Sequence, residues 1–254
     1  MPDPFSLPFN QAIAYFRQKY PLPTEVWDDI IGAAQDWAFT VAGVSSAVLL
    51  NDIADLIERA LVEGISFESW KKQFKARVND AGWTGATPWR TELIFRQNLA
   101  TAYNAGRYQQ QTDPDVLKLR PYWQYIHGDT RHPRPHHKAL DGKVFLANDP
   151  IWQQIYPPNG FGCGCRVVTL SNRDMERENL SVDAIAETAT ILDKRTGATQ
   201  QVPAVRVNGK IKPIAEPGFA YTPGNNPREA LTDQMDRLPP HLRTMVENRL
   251  NTGQ

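Results

Sequence analysis

Four of the five histidines, His127, His132, His136 and His137, fall in one short stretch, and the two cysteines, Cys163 and Cys165, follow closely. Imidazole nitrogen and thiolate sulfur are the ligands Zn²⁺ prefers, and four of them can close a tetrahedral structural site. The cysteines lie in Pro157-Pro158-Asn159-Gly160-Phe161-Gly162-Cys163-Gly164-Cys165-Arg166, whose glycines let the backbone bend until both sulfurs face one centre. A Cys-x-Cys pair is less usual than Cys-x-x-Cys, so the neighbouring histidines, not the spacing, carry the metal reading. His137, Cys163 and Cys165 are the favoured ligands of a structural zinc. The fourth position stays open among His132, His136, His127 and Asp129, with His132 put forward first. The competing reading is plain: loop histidines exposed to solvent, and cysteines packed as small apolar residues.

Catalysis by the same residues finds less support. A zinc deaminase needs His-x-Glu with Pro-Cys-x-x-Cys, whereas His127 is followed by Gly128-Asp129 and one residue separates the cysteines. Phosphate-binding Gly-x-x-x-x-Gly-Lys-[Ser/Thr], Gly-x-Ser-x-Gly and His-Glu-x-x-His are all absent from the sequence. The reading is therefore no enzyme, no catalytic residues and no small-molecule substrate.

The elements that must hold this cluster follow from periodicity. Residues 1–112 read as helices. Trp27, Ile30, Ile31, Ala34, Trp37 and Ala38 recur at helical spacing behind Thr24 as a cap. Val48, Leu49, Ile53, Ile57, Ala60 and Leu61 form a second stripe, stopped by Gly64. Phe67, Trp70, Phe74 and Val78 form a third, capped by Ser66 and ending before Gly82. A fourth helix starts at Thr87-Pro88, where proline's missing N–H costs little, and runs to about Gln110. Short loops make these helices an antiparallel bundle.

Residues 113–175 hold the cluster, with strands expected at Tyr122–Ile126, Lys143–Leu146 and Arg166–Leu170. Residues 176–254 are expected to hold a hairpin, a loop and a C-terminal helix. The hairpin is Ala204–Val207 and Lys210–Lys212 joined by Asn208-Gly209, which suits a type I′ turn. The loop covers Glu216–Pro227, and helical pieces on either side of Pro239-Pro240 close the chain. The fold class is α+β: an N-terminal helical bundle, then a small loop-rich β region with a candidate metal site, then a C-terminal helix. A small loop-rich region has little core of its own, which makes a metal staple physically sensible.

Bulk composition agrees. The chain has 254 residues, 41% hydrophobic and 22% charged, with zero formal net charge. That suits a folded globular protein and gives no long-range pull toward DNA or anionic lipid. The N-terminal residues lack a basic segment followed by an apolar run, and no apolar stretch reaches bilayer length, so no membrane association is expected. In a cytosol the two thiols stay reduced, which favours metal binding or plain packing over a disulfide. Trp27, Trp37 and Trp70 read as core, while Trp83, Trp89, Trp123 and Trp152 fall near element ends, where tryptophan serves packing or partner anchoring. Lys71, Lys72, Lys75 and Arg77 make one basic helix face, a solvated surface or a DNA contact.

Several stretches together resemble a known family. Arg96-Gln97-Asn98-Leu99-Ala100-Thr101-Ala102-Tyr103-Asn104-Ala105-Gly106-Arg107-Tyr108 is followed by Arg120-Pro121-Tyr122-Trp123-Gln124-Tyr125 and Arg134-Pro135-His136-His137-Lys138-Ala139-Leu140-Asp141-Gly142. Trp152 and Tyr156 through Cys165 complete the order. This is similar to the phage Mu protein F-like head morphogenesis family, and Val41-Ala42-Gly43 and Pro217 to Gly224 extend the likeness from near Pro8 to near Asn225. The family's Arg-Pro-x-His-x-x-Leu-x-Gly motif falls on His137 and its Cys-x-Cys on Cys163 and Cys165. Gly164 stands where the family usually has arginine.

The resemblance implies a minor head protein, a virion component of a tailed phage assembled in the host cytoplasm. It would act in head morphogenesis with the portal or major capsid protein, near the portal vertex or the packaged DNA. The rival is a metal-dependent nuclease or toxin-like enzyme carried in the head.

Overall fold

The structure is a computed structural model and describes residues 9–128 and 133–252. It is α+β and divides into two compact units: residues up to Gly106 together with those from Gly224 onward, and Arg107–Pro223.

The first unit is helical. α1 (Asn10–Arg17) precedes a two-residue strand β1 (Tyr20–Pro21), which pairs in parallel with β2 (Ala38–Phe39). α2 (Ala47–Glu63) starts where the Ser46 hydroxyl accepts from Leu49 N–H, and stops at Gly64, whose φ of 65° only glycine adopts cheaply. α3 (Phe67–Asp80) is capped the same way by Ser66, and α4 runs from Pro88 to Gln111. α2 and α3 match the expected stripes, and α4 the expected start and end to within one residue. Leu50, Ile53, Ile57, Trp70, Phe74 and Ala102 are fully or almost fully buried in one cluster, with Trp70 stacked on Phe74 at 4.7 Å between centroids. Val48, expected in that stripe, points to solvent at 74% exposure.

The helix expected over Trp27–Ala38 does not form. The Asp29 carboxylate takes the backbone N–H groups of Glu25 and Val26, and Gly32 sits at φ +61°. Both features turn the chain, leaving a 3-10 segment at Gly32–Asp36. Ile30, Ala34 and Ala38 still reach a core, whereas Trp27 is 47% exposed. That core is completed by Leu231, Leu238, Leu242 and Val246, from a 3-10 segment at Arg228–Arg237 and a helix at Pro240–Thr252. Buried Asp36 pins the arrangement, accepting from Tyr15 Oη at 2.8 Å, Gly224 N at 2.9 Å and Asn226 Nδ2 at 2.6 Å.

The second unit adds α5 (Pro114–Leu119) and a sheet of β3 (Tyr122–Ile126), β4 (Val144–Leu146) and β5 (Arg166–Leu170). β3 is central and pairs antiparallel with both neighbours, Tyr125 opposite Val167 and Ile126 opposite Arg166. All three strands lie where alternation put them, β4 starting one residue later than expected. Trp123 and Tyr125 face inward with Phe145, Trp152, Ile155 and Tyr156, so Trp123 and Trp152 are core residues. Short helices α6 (Pro135–Lys138), α7 (Trp152–Ile155) and α8 (Asn172–Arg177) fill the connections. A second sheet, β6 (Thr188–Leu192), β7 (Thr199–Val207) and β8 (Lys210–Pro213), holds the expected hairpin. Asn208 and Gly209 take φ of 49° and 76°, the signs a type I′ turn requires. Among the described residues no helix is long and apolar enough to cross a membrane.

Candidate metal centre

Three of the sequence-selected residues converge. His137 comes from α6, started by Pro135 at its first turn, and the cysteines from the loop that enters β5. His137 Nδ1 lies 3.7 Å from Cys163 Sγ and 4.0 Å from Cys165 Sγ, and all three ligand atoms fall within 4.8 Å of one another. Zn–S of about 2.3 Å and Zn–N of about 2.0–2.1 Å at tetrahedral angles demand an S···N edge of about 3.6 Å. The residues present therefore fit such an ion with small adjustments. All three are buried, the cysteines at 4% and 3% exposure.

The surroundings treat the two sulfurs differently. The Tyr125 side chain and the Gly128 backbone both favour the ionised form of Cys165. The backbones of Asn159 and Cys165 act in the same direction on Cys163, but more weakly than the causes that raise it. The neighbouring Cys165 sulfur, then burial, holds the Cys163 thiol well above its ordinary range. The reciprocal influence of Cys163, helped by His137, Tyr125 and Gly128, pulls Cys165 down. His137 Nε2, on the far side of the ring, is buried with no hydrogen-bond partner among the described residues.

Backbone contact sets the geometry. A Cβ on Gly128 would lie 2.0 Å from the Gly164 carbonyl oxygen, so the residue between the cysteines rests directly on the chain leaving β3. Arg134, just before α6, donates from Nη2 to the Phe161 carbonyl at 2.7 Å and pairs through Nε with Glu216 at 2.6 Å. It thus ties the His137 helix to the cysteine loop.

The other sequence candidates separate. His136 packs edge-on against His137 at 4.6 Å and forms an overlapping group with His137 and Glu216. Desolvation, then His137, Arg134 and Lys212, lower its pKa to about 4, so it is neutral at pH 7. His127 is in neither group, its backbone N–H donating to Asp141 Oδ1 at 2.8 Å. His132 and Asp129 lie outside the described residues. Sequence reasoning did not single out Tyr125, Asn159 or Glu216. Only Tyr125 left a trace, as an inward position in an alternating strand.

Fold and site together define a small α+β protein with a buried His-Cys-Cys cluster entering a three-stranded sheet. Residues 51–168 match the family described as Phage Mu protein F like protein. The chain is 34% identical over 242 residues to the putative capsid assembly protein F of Escherichia phage Mu, an overlap of 86% of this chain and 55% of that protein. It is 33% identical over 189 residues to the Mu-like prophage FluMu F protein of Haemophilus influenzae, covering 67% of this chain and 45% of the relative. The chain spans about half the length of the curated relatives it matches. No solved structure matches. The resemblance read from Arg96–Tyr108 through Cys165 is borne out, and the matched region takes in His137, Cys163 and Cys165.

Proposed function

We propose that the chain is a minor head protein of a tailed phage that acts in capsid assembly as a structural component rather than an enzyme. The observation that carries this is the 34% identity over 242 residues to a protein named for capsid assembly. Within that reading the His137, Cys163 and Cys165 cluster holds a structural zinc that closes the cysteine loop onto β3. Burial of all three side chains supports a structural ion, because catalytic zinc keeps a position open to substrate. A tetrahedral site needs a fourth ligand, and His132, the first sequence candidate for it, lies outside the described residues. Docking on the portal or major capsid protein, beside the packaged DNA, is the assembly role that fits.

Quantitative mass spectrometry of purified proheads and mature heads tests the role. A few copies per particle are expected, and absence from both would refute it. A nucleic-acid cleavage activity abolished by His137→Ala with the fold intact would favour the nuclease alternative instead.

A further inference from the structure

The two three-stranded sheets end in four rim strands, β4, β5, β6 and β8, and three of these rims are closed. At β4, Asp183 engages both outward main-chain groups of Val144. Its N–H donates to the Val144 carbonyl at 2.7 Å, and its Oδ2 accepts from the Val144 N–H at 2.9 Å. At β5, the outward carbonyls of Val167 and Thr169 accept from Gln111 Nε2 at 3.0 Å and Arg120 Nη2 at 2.6 Å. At β8, the Ile214 N–H reaches the Pro203 carbonyl at 3.0 Å, which leaves Ile211 and Pro213 facing outward. Pro213 has no N–H to offer, and Lys210 and Lys212 flank Ile211. Capping groups, prolines and lysines are the devices that keep sheet edges from pairing.

β6 carries none of them. The Ala204 N–H donates to the Glu187 carbonyl at 2.9 Å and the Asp193 N–H to the Ala198 carbonyl at 2.8 Å, one at each end of the ladder with β7. Hydrogen-bonded pairs alternate along an antiparallel ladder. Ala189 and Ile191 therefore turn their main-chain groups to β7, and Thr188, Thr190 and Leu192 turn theirs outward. Pro203 fits this phase, since it stands opposite Thr188, in a pair that needs no N–H. Among the described residues nothing bonds the outward groups. The side chains of Thr188, Thr190 and Leu192 are exposed, Leu192 at 52%, and no charge falls between Thr188 and Leu192.

We propose that β6 is an interaction edge whose partner is the β6 of a second copy of this chain, the two sheets joining into one. Antiparallel pairing must set outward-facing residues against outward-facing residues, which allows a two-fold axis at Thr190 or at Ile191. An axis at Thr190 would set Glu187 against the acidic Asp193 of the other copy, a repulsive pair. An axis at Ile191 instead brings Glu187 to the other copy's Arg195 and Thr188 to its Lys194. Glu187 already holds Arg206 at 2.7 Å, so a carboxylate then lies between two guanidinium groups. Thr190 of each copy exchanges main-chain hydrogen bonds with Leu192 of the other. Charge complementarity thus selects both the partner and the register, independently of any metal ion.

Pairing through one strand is a small interface and therefore a weak one, so the test is sedimentation equilibrium of the full chain carried to high protein concentration. A reversible monomer–dimer equilibrium is expected. Thr190→Pro removes an N–H that β7 does not use, at the kind of edge position where proline is tolerated. It should leave Tm unchanged and raise the dimer dissociation constant about tenfold or more, since each copy loses a donor. Should Thr190→Pro not fold, Leu192→Lys places a charge on the same rim and should dissociate the dimer in the same way. Register is read by cross-linking. Across an axis at Ile191 the two Cα atoms lie about 4.5 Å apart, within disulfide reach, so Ile191→Cys should cross-link under mild oxidation and Thr190→Cys should not. A wild-type chain that stays monomeric, or a dimer indifferent to both rim variants, overturns the proposal. Cross-linking of Thr190→Cys but not Ile191→Cys overturns the register.

Discussion

Replacing Gly128 by alanine should do more damage than its single methyl implies. The new Cβ would lie 2.0 Å from the Gly164 oxygen, 2.3 Å from its carbonyl carbon and 2.8 Å from its Cα. An ordinary C···O contact is about 3.3 Å, so the two backbones must part by about 1.3 Å. No rotamer can absorb this, because every offending atom is main chain. Gly164 stands between Cys163 and Cys165, so displacing it moves both sulfurs. Forced overpacking of this kind costs about 3 kcal/mol, which lowers Tm by about 10 °C in a chain of this size. Gly160→Ala provides the contrast. Its Cβ would meet the Glu216 carboxylate at 2.4 Å, but that group can swing away. The loss is then a half-exposed ion pair with Arg134, worth less than about 1 kcal/mol. Calorimetry and metal content of both variants decide the matter. Gly128→Ala with wild-type Tm and full metal content, or Gly160→Ala the more damaging of the two, would refute the reasoning.

Three further outcomes are expected. Stripping metal with a strong chelator should lower thermal stability, by about 4 kcal/mol if free zinc had stood at a thousand times its Kd, and an unchanged melting curve rules out a stabilising ion. Asp36→Asn keeps one acceptor oxygen but sets its NH2 against either the Tyr15 hydroxyl or the Gly224 and Asn226 donors, and should cost about 2–3 kcal/mol in urea unfolding; a smaller loss than the exposed Asp55→Asn would contradict the burial argument. The Asp174 carboxyl is held down to about 2 by the backbone and side chain of Ser171, then by Arg177 and Arg120. A depressed folded pKa contributes stability above the unfolded value near 4, and that contribution disappears as pH falls toward 2. Asp174→Asn should therefore flatten the stability profile between those values, and an identical slope in variant and wild type would show the carboxylate is not held in this way.

What the sequence revealed depended on how local the cause was. α2 and α3 were legible because their stripes, their serine caps and Gly64 all lie within one stretch of chain. The segment from Trp27 to Ala38 shows the limit. Its spacing correctly marked Ile30, Ala34 and Ala38 as buried, but periodicity reports burial and not which carbonyl each N–H finds. Asp29 and Gly32 redirected the backbone, and the apolar partners come from Leu231 to Val246. α1 also passed unread, its buried face being only Ala12, Ile13, Tyr15 and Phe16. At the site, ligand chemistry singled out His137, Cys163 and Cys165. Tyr125 and Asn159 became visible only in the structure, where the buried Asn159 amide bridges the Tyr125 hydroxyl and the Ile155 carbonyl.

Translation separates in time the two stretches of chain that close one core of the first unit. Leu22, Ile30, Ala34 and Ala38 share a core with Leu231, Leu238, Leu242 and Val246, and the Ile31 carbonyl accepts from Gln234 Nε2 across 203 residues. Synthesis at about 5–20 residues per second puts about 10–40 s between the two halves of that core. The nascent chain must carry an open apolar surface through that interval, while Arg107–Pro223, contiguous in sequence, emerges whole and is free to close first. Translation thus orders the assembly of the molecule from the middle outward.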